Sequence, residues 1–145
     1  MEARKDDYLI STDREKLNRE LIHRFLSTES GWANGIKLET VNKSIDNSLN
    51  FGLYLKNEQI GYAKVISDFS TIAYLGDVFI LNDYRGSGLS KWMMEFITAH
   101  EDLQGLRRWI LLTNTAPWLY EKFGFTRPNN PDFYMERYNP KVYEL

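Results

Sequence analysis

The chain has no cysteine in 145 residues. That excludes a disulfide framework, a thiolate metal site and a cysteine nucleophile, and it fits a reducing compartment. It also lacks an apolar run of about 18 residues, so no membrane-spanning helix is expected. The opening residues, MEARKDDYLI, mix charges and have no apolar core, so no signal peptide is expected. No charge of one sign dominates. The 18 basic and 20 acidic residues leave a net charge of −2. A chain without a basic field is not expected to gather nucleic acid. Proline occurs four times, and no repeat, low-complexity stretch or linker interrupts the sequence. What remains is an expectation of one domain over residues 1–145, in the cytoplasm, with no metal site.

The apolar pattern alternates between strand and helix periods. Tyr8–Ser11 reads as a first strand. Asp13 is positioned to cap a helix carrying Leu17, Leu21, Ile22, Phe25 and Leu26 and ending near Ser27. Residues 27–36 are rich in turn formers and hold Trp32. Leu38, Val41, Ile45 and Leu49 form a second helical stripe. Phe51–Leu55 and Ile60–Ile66 read as a hairpin, and Thr71–Leu81 as the longest strand. A helix over 88–100 carries Leu89, Trp92, Met93, Phe96 and Ile97 on one face. Arg107–Thr113 is the next strand. A short helix follows at 117–123, with Pro117 in its first turn and Gly124 past its end. Phe133–Tyr138 reads as a last strand. Strand, helix and strand from 71 to 113 make a unit whose two strands should run parallel. The fold class is therefore α/β, a mixed sheet with helices on both faces.

Residues 78–91 read Val-Phe-Ile-Leu-Asn-Asp-Tyr-Arg-Gly-Ser-Gly-Leu-Ser-Lys. An apolar strand enters a glycine turn that opens directly into an amphipathic helix. Such a junction converges unpaired N–H groups and a helix dipole on one spot, which suits phosphate. Gly86-Ser-Gly88 is too short for a P-loop. A dinucleotide fingerprint fails at Lys91, where its third glycine should stand. The remaining pattern, R-x-x-G-x-G/A, is met by Arg85 and Gly88, with Ser90 in place of the last small residue.

With LGDVFILNDYRGSGLSKWMMEF followed by LLTNTAPWLYEKFGF, the chain resembles the GNAT superfamily of N-acetyltransferases over residues 75–125. Its N-terminal half, FLSTESGWANGIKLETV, resembles the small stand-alone bacterial members. The resemblance implies a mostly antiparallel mixed sheet with one splayed parallel pair. It implies acetyl-CoA as cofactor and direct attack by a primary amine of a small molecule or peptide in a ternary complex. On this pattern Val78, Phe79 and Ile80 hold the pantetheine arm through their backbones, and the Val78 N–H faces the thioester carbonyl. Gly86, Ser87, Gly88, Leu89 and Ser90 hold the pyrophosphate, with Arg85 and Lys91 nearby. Tyr120 matches the general acid. Asn114 is a weaker match for a polar contact to the pantetheine arm, because the family's asparagine falls at Thr113.

No clear general base is legible. Some members place a glutamate where this chain has Gly76, with Asp77 beside it. Asp77 is a candidate base, but neighbours on a strand face opposite sides, so it need not point at the acceptor and reads first as a structural carboxylate. His23 and His100 both fall in predicted helices and read as surface or boundary residues. Trp32 is the candidate acceptor-binding residue, by stacking or by cation–π contact, or else it anchors its loop. Glu29, Asp77 and Asp132 can favour a cationic acceptor. The expected partners are an amine acceptor and, as an assembly, a homodimer, with neither nucleic acid nor membrane. A non-catalytic acyl-CoA sensor is the alternative function.

Overall fold

The computed structural model describes residues 1–144. Six strands form one sheet in chain order: β1 (Glu2–Lys5), β2 (Tyr8–Ser11), β3 (Leu49–Leu55), β4 (Glu58–Ser67), β5 (Ile72–Ile80) and β6 (Arg108–Leu111). Every neighbouring pair is antiparallel except β5 and β6. Both faces of β3 and β4 are covered, so these strands read as almost continuous buried runs.

Two helices cover one face. Helix α1 (Arg19–Thr28) starts where Asn18 Oδ1 accepts the Leu21 N–H at 3.0 Å. The Asn18 N–H donates in turn to Gln59 Oε1 at 2.7 Å, which ties the helix start to β4. Helix α2 (Leu38–Asp46) lies beside it. Their apolar stripes, Ile22, Phe25, Leu26, Val41 and Ile45, close over Tyr62 and Phe79 of the sheet. The Phe25 and Phe79 rings stack with centroids 3.9 Å apart. Helices α3 (Leu89–Thr98) and α4 (Pro117–Glu121) cover the opposite face, where Met93, Ile97 and Leu119 pack on Phe51, Leu53 and Leu75. Each such buried side chain contributes about 1.5–3 kcal/mol against the unfolded chain.

The structure departs from the sequence expectations in several places. Asp13 caps only a 3₁₀ turn over Arg14–Lys16, and α1 begins later, after Asn18. Leu49 opens β3 rather than closing α2. The strand expected over Phe133–Tyr138 does not form. A 3₁₀ turn spans Pro131–Phe133, and no sheet partner meets the residues after it. His100 is not in α3. It is buried, its Nδ1 accepts the Asp102 N–H at 3.1 Å, and its ring meets Phe51 edge-on. Among the described residues no helix is long and apolar enough to cross a membrane.

Candidate active site

The parallel pair is short. Its register runs from Ile72↔Arg108 to Leu75↔Leu111 and stops there, while β5 continues to Ile80. The edge of residues 76–80 that would face β6 is therefore open. Alternate N–H and C=O groups along it have no strand partner, which is an invitation to an extended ligand. Val78 and Ile80 pack towards the α3–α4 side of the sheet, and Phe79 towards the α1–α2 side.

A bulge sits at the point where the strands part. Tyr62 pairs with Phe79 but Lys64 pairs with Gly76, so Asp77 and Val78 together oppose Ala63. Asp77 absorbs the extra residue with φ +51°. The simple alternation used to read the sequence fails here, because the bulge turns Asp77 towards the α1–α2 side. There its Oδ2 accepts from Lys64 Nζ at 3.0 Å and its Oδ1 from the Trp32 indole N–H at 3.0 Å. Lys64 Nζ also donates to Ser44 Oγ at 2.7 Å. These groups line a crevice of ≈190 Å³ between the helices and β4–β5. Trp32 stands at its mouth, 54% exposed. A Cβ on Gly76 would lie 3.0 Å from the Tyr74 ring, so a side chain there requires that ring to give by a few tenths of an ångström. Burial, and secondarily the Asp77 charge, raises the Tyr74 pKa. Tyr62, deeper in the crevice, donates to Asn50 Oδ1, and burial pushes its phenol up strongly.

A 3₁₀ turn over Asn82–Tyr84 joins β5 to the glycine turn. Gly86 (φ +84°) and Gly88 (φ +79°) adopt the left-handed conformation, and Gly88 is the N-cap of α3 with no side-chain cap. An added Cβ would meet nothing within 4 Å at either position, so the backbone angle is what requires glycine within the chain itself. Among the described residues the N–H groups of 86–91 find no protein acceptor. Arg85 bends back, its Nε donating to the Ile80 carbonyl at 2.8 Å, which fixes the turn to the end of β5. Ser87 Oγ donates to the Tyr84 carbonyl at 3.2 Å. Leu89 is buried, Ser90 half-buried and Lys91 exposed.

Tyr120 lies in α4, only 9% exposed, edge-on to Phe125. Desolvation raises its pKa, and no hydrogen bond contributes. Val78 packs against the same cluster of side chains. Thr113 Oγ1 accepts the Ala116 N–H at 3.1 Å and so organises the start of α4. Asn114 is exposed and makes no hydrogen bond among the described residues. Glu29 and Asp132 do not line the crevice.

A larger cleft, ≈1100 Å³, lies elsewhere. It runs along the free edge of β6 and is bounded by the irregular chain near Phe133, with Tyr120 on one wall. Neither residues 78–80 nor the glycine turn border it. It is the space left where the expected last strand does not pair, along an edge of β6 that has no strand partner. Lys64 and Ser44 were not anticipated from the sequence. The one available signal was a single lysine inside the otherwise uncharged run IGYAKVI.

A family model described as an acetyltransferase (GNAT) domain matches residues 46–127. A Gibberella zeae protein assigned as an acetyltransferase is 33% identical over 140 residues, covering 81% of this chain and 78% of its own length. Among solved structures, a Xanthomonas campestris protein assigned to the GNAT family superposes with TM-score 0.93 at 48% identity, covering 95% of this chain and 97% of the other. A Clostridium acetobutylicum protein assigned as an acetyltransferase and solved with acetyl-CoA gives TM-score 0.69 at 15% identity, covering 90% and 94%.

Proposed function

The chain belongs to the GNAT family of acetyltransferases, and we propose that it moves the acetyl group of acetyl-CoA directly to a primary amine of a small molecule or peptide within a ternary complex. One observation carries the reading. The open edge of β5 beyond Leu75 leads, across one 3₁₀ turn over Asn82–Tyr84, to six amides, 86–91, that have no partner among the described residues. An extended amide-bearing arm ending in a pyrophosphate is complementary to that row of donors and acceptors.

Acetyl-CoA supplies an activated thioester. Val78, Phe79 and Ile80 would pair with the pantetheine amides, and residues 86–90 with the pyrophosphate, while the exposed Lys91 adds a cation. We assign the Val78 N–H, at the bulge, to the thioester carbonyl oxygen. A preorganised donor of that kind lowers a barrier by roughly 3 kcal/mol. Tyr120 holds a proton on its phenol oxygen for the departing sulfur. A free phenol titrates near ~10 and a thiol near ~8.5, and burial keeps Tyr120 neutral beyond the usual tyrosine range. Asp77 is read as a positioning residue rather than the base, since both its oxygens are engaged. The acceptor then arrives neutral or loses its proton to water. Asn114 would reach the pantetheine arm from its exposed loop. The same occupied carboxylate is what favours the second reading, an acyl-CoA sensor without turnover.

The test is thiol release from acetyl-CoA across a panel of amines, with Tyr120→Phe alongside. Release that depends on amine and falls with the substitution supports transfer. Undiminished release in Tyr120→Phe refutes the acid assignment, and tight coenzyme A binding without release favours the sensor.

A further inference from the structure

From Phe125 to Asn139 the chain has only one 3₁₀ turn and is mostly exposed, yet its end returns to the body of the protein. Residues 139–144 form a compact turn, closed by Val142 N–H to the Asn139 carbonyl at 3.4 Å and Glu144 N–H to the Lys141 carbonyl at 3.0 Å. That turn delivers Tyr143 onto the α1–α2 loop. Tyr143 is half-buried against the cluster of Ile22, Phe25 and Val41. Contact with the loop is close: a Cβ on Gly35 would stand 2.7 Å from the Tyr143 carbonyl oxygen. The Tyr143 side lines the same crevice as Trp32, Ser44, Lys64 and Asp77.

We propose that Tyr143, carried by the C-terminal turn, is the outer wall of the acceptor crevice and sets the size of amine that enters. This rests on the acetyl-transfer reading. Two observations give it content. The crevice holds one cation and one anion already paired to each other, so it offers no spare charge to select a polyamine or a phosphorylated acceptor. Selection there falls to shape. Its ≈190 Å³ is below the about 300–1,000 Å³ of pockets for drug-sized ligands, which limits entry to a small amine. Among the described residues no backbone hydrogen bond ties 139–144 to the body, so the wall is held by side-chain packing and is the part most easily displaced.

The full chain is compared with Tyr143→Ala, with a deletion of residues 139–145, and with Gly35→Ala, whose methyl would collide with the Tyr143 carbonyl. Three readouts are taken: coenzyme A affinity by calorimetry, acetyl transfer to methylamine, benzylamine and a pentapeptide with a free N-terminus, and labelling of Lys64 by acetic anhydride followed by peptide mass spectrometry. The expected result is unchanged coenzyme A affinity, faster labelling of Lys64, and kcat/KM for the bulkier amines raised about tenfold relative to methylamine. Lys64 labelling needs no known acceptor and decides by itself whether the wall covers the crevice. Equal labelling and an unchanged amine profile, with coenzyme A still bound, overturn the inference and leave acetyl transfer standing. A full chain that ignores coenzyme A overturns the reading beneath it and the inference with it.

Discussion

Replacing Lys64 by methionine removes one end of an ion pair that bridges β4 and β5 at the bulge. The Lys64 Nζ and Asp77 Oδ2 atoms are 3.0 Å apart, and the two side chains are 15% and 18% exposed. An exposed pair contributes about 0–1 kcal/mol, and breaking a fully buried one costs about 3–5 kcal/mol. This pair lies between those limits, so the expected cost of Lys64→Met is about 2 kcal/mol, mostly from an Asp77 carboxylate left with only the Trp32 indole. For a chain of this length that lowers Tm by roughly 5–8 °C. Asp77→Asn takes the paired negative charge from Lys64, leaving it Ser44 and a neutral amide oxygen, and should cost a similar amount. The double variant should be less destabilised than the sum of the two, with a coupling of about 1–2 kcal/mol. Thermal and urea unfolding of the four proteins measure it. Both single variants should also raise KM for the amine while leaving coenzyme A affinity unchanged, because the pair faces the crevice and not the open edge of β5. Costs that add to within about 0.5 kcal/mol refute the coupling. An Asp77→Asn protein that keeps full stability yet loses turnover would show that the carboxylate is the base after all.

The glycine turn, the phenol and the β4–β5 connection carry further expectations. Gly88→Ala forces a Cβ into φ +79° with no clash in the chain, so stability should fall by only about 1 kcal/mol, whereas calorimetry should show coenzyme A affinity falling far more. Equal coenzyme A affinity would remove the turn from the site. Tyr120→Phe should lower kcat by about 10²–10⁴ without changing coenzyme A affinity. Since burial raises the Tyr120 pKa, its proton is retained at neutral pH and lost only above the usual tyrosine range, so the pH–rate profile should show no decline from Tyr120 below about 10. Asp68 accepts from the Thr71 hydroxyl at 2.6 Å and from the N–H groups of Thr71, Ser70 and Ile72, which hold its carboxyl well below the usual range. Its stabilisation is complete above the unfolded value near ~3.9 and is lost as pH falls through the lower folded value. Asp68→Asn should therefore show a smaller loss of Tm between neutral and strongly acid pH than the unaltered chain.

Local chemistry made the glycine turn and α3 readable. Gly86 and Gly88 stand where the backbone needs φ > 0, and Leu89, Met93, Phe96 and Ile97 fall on one helical face buried against the sheet. Strands β3 to β6 were legible from apolar runs and hairpin turns within a few residues of their ends. The edge strand β1 was not, because EARK has no apolar alternation and pairs only with β2. Phe133–Tyr138 misled for the converse reason. Aromatic residues favour strands, but that preference depends on a partner strand, and Phe133 and Met135 end 81% and 96% exposed. The glycine turn and the short helix carrying Tyr120 could be located from motifs. The setting of Asp77 could not, because a one-residue bulge reverses the side on which it emerges. Lys64, Ser44 and Tyr143 share its crevice only through tertiary packing, from positions far apart in the chain.

Titration of the purified full chain with acetyl-CoA, followed by calorimetry, bears most directly on the open edge of β5 and the free amides of 86–91. Saturable binding of one molecule per chain, weakened by Gly88→Ala and untouched by Tyr120→Phe, is the predicted result. No heat of binding to acetyl-CoA or to coenzyme A at millimolar ligand would contradict it.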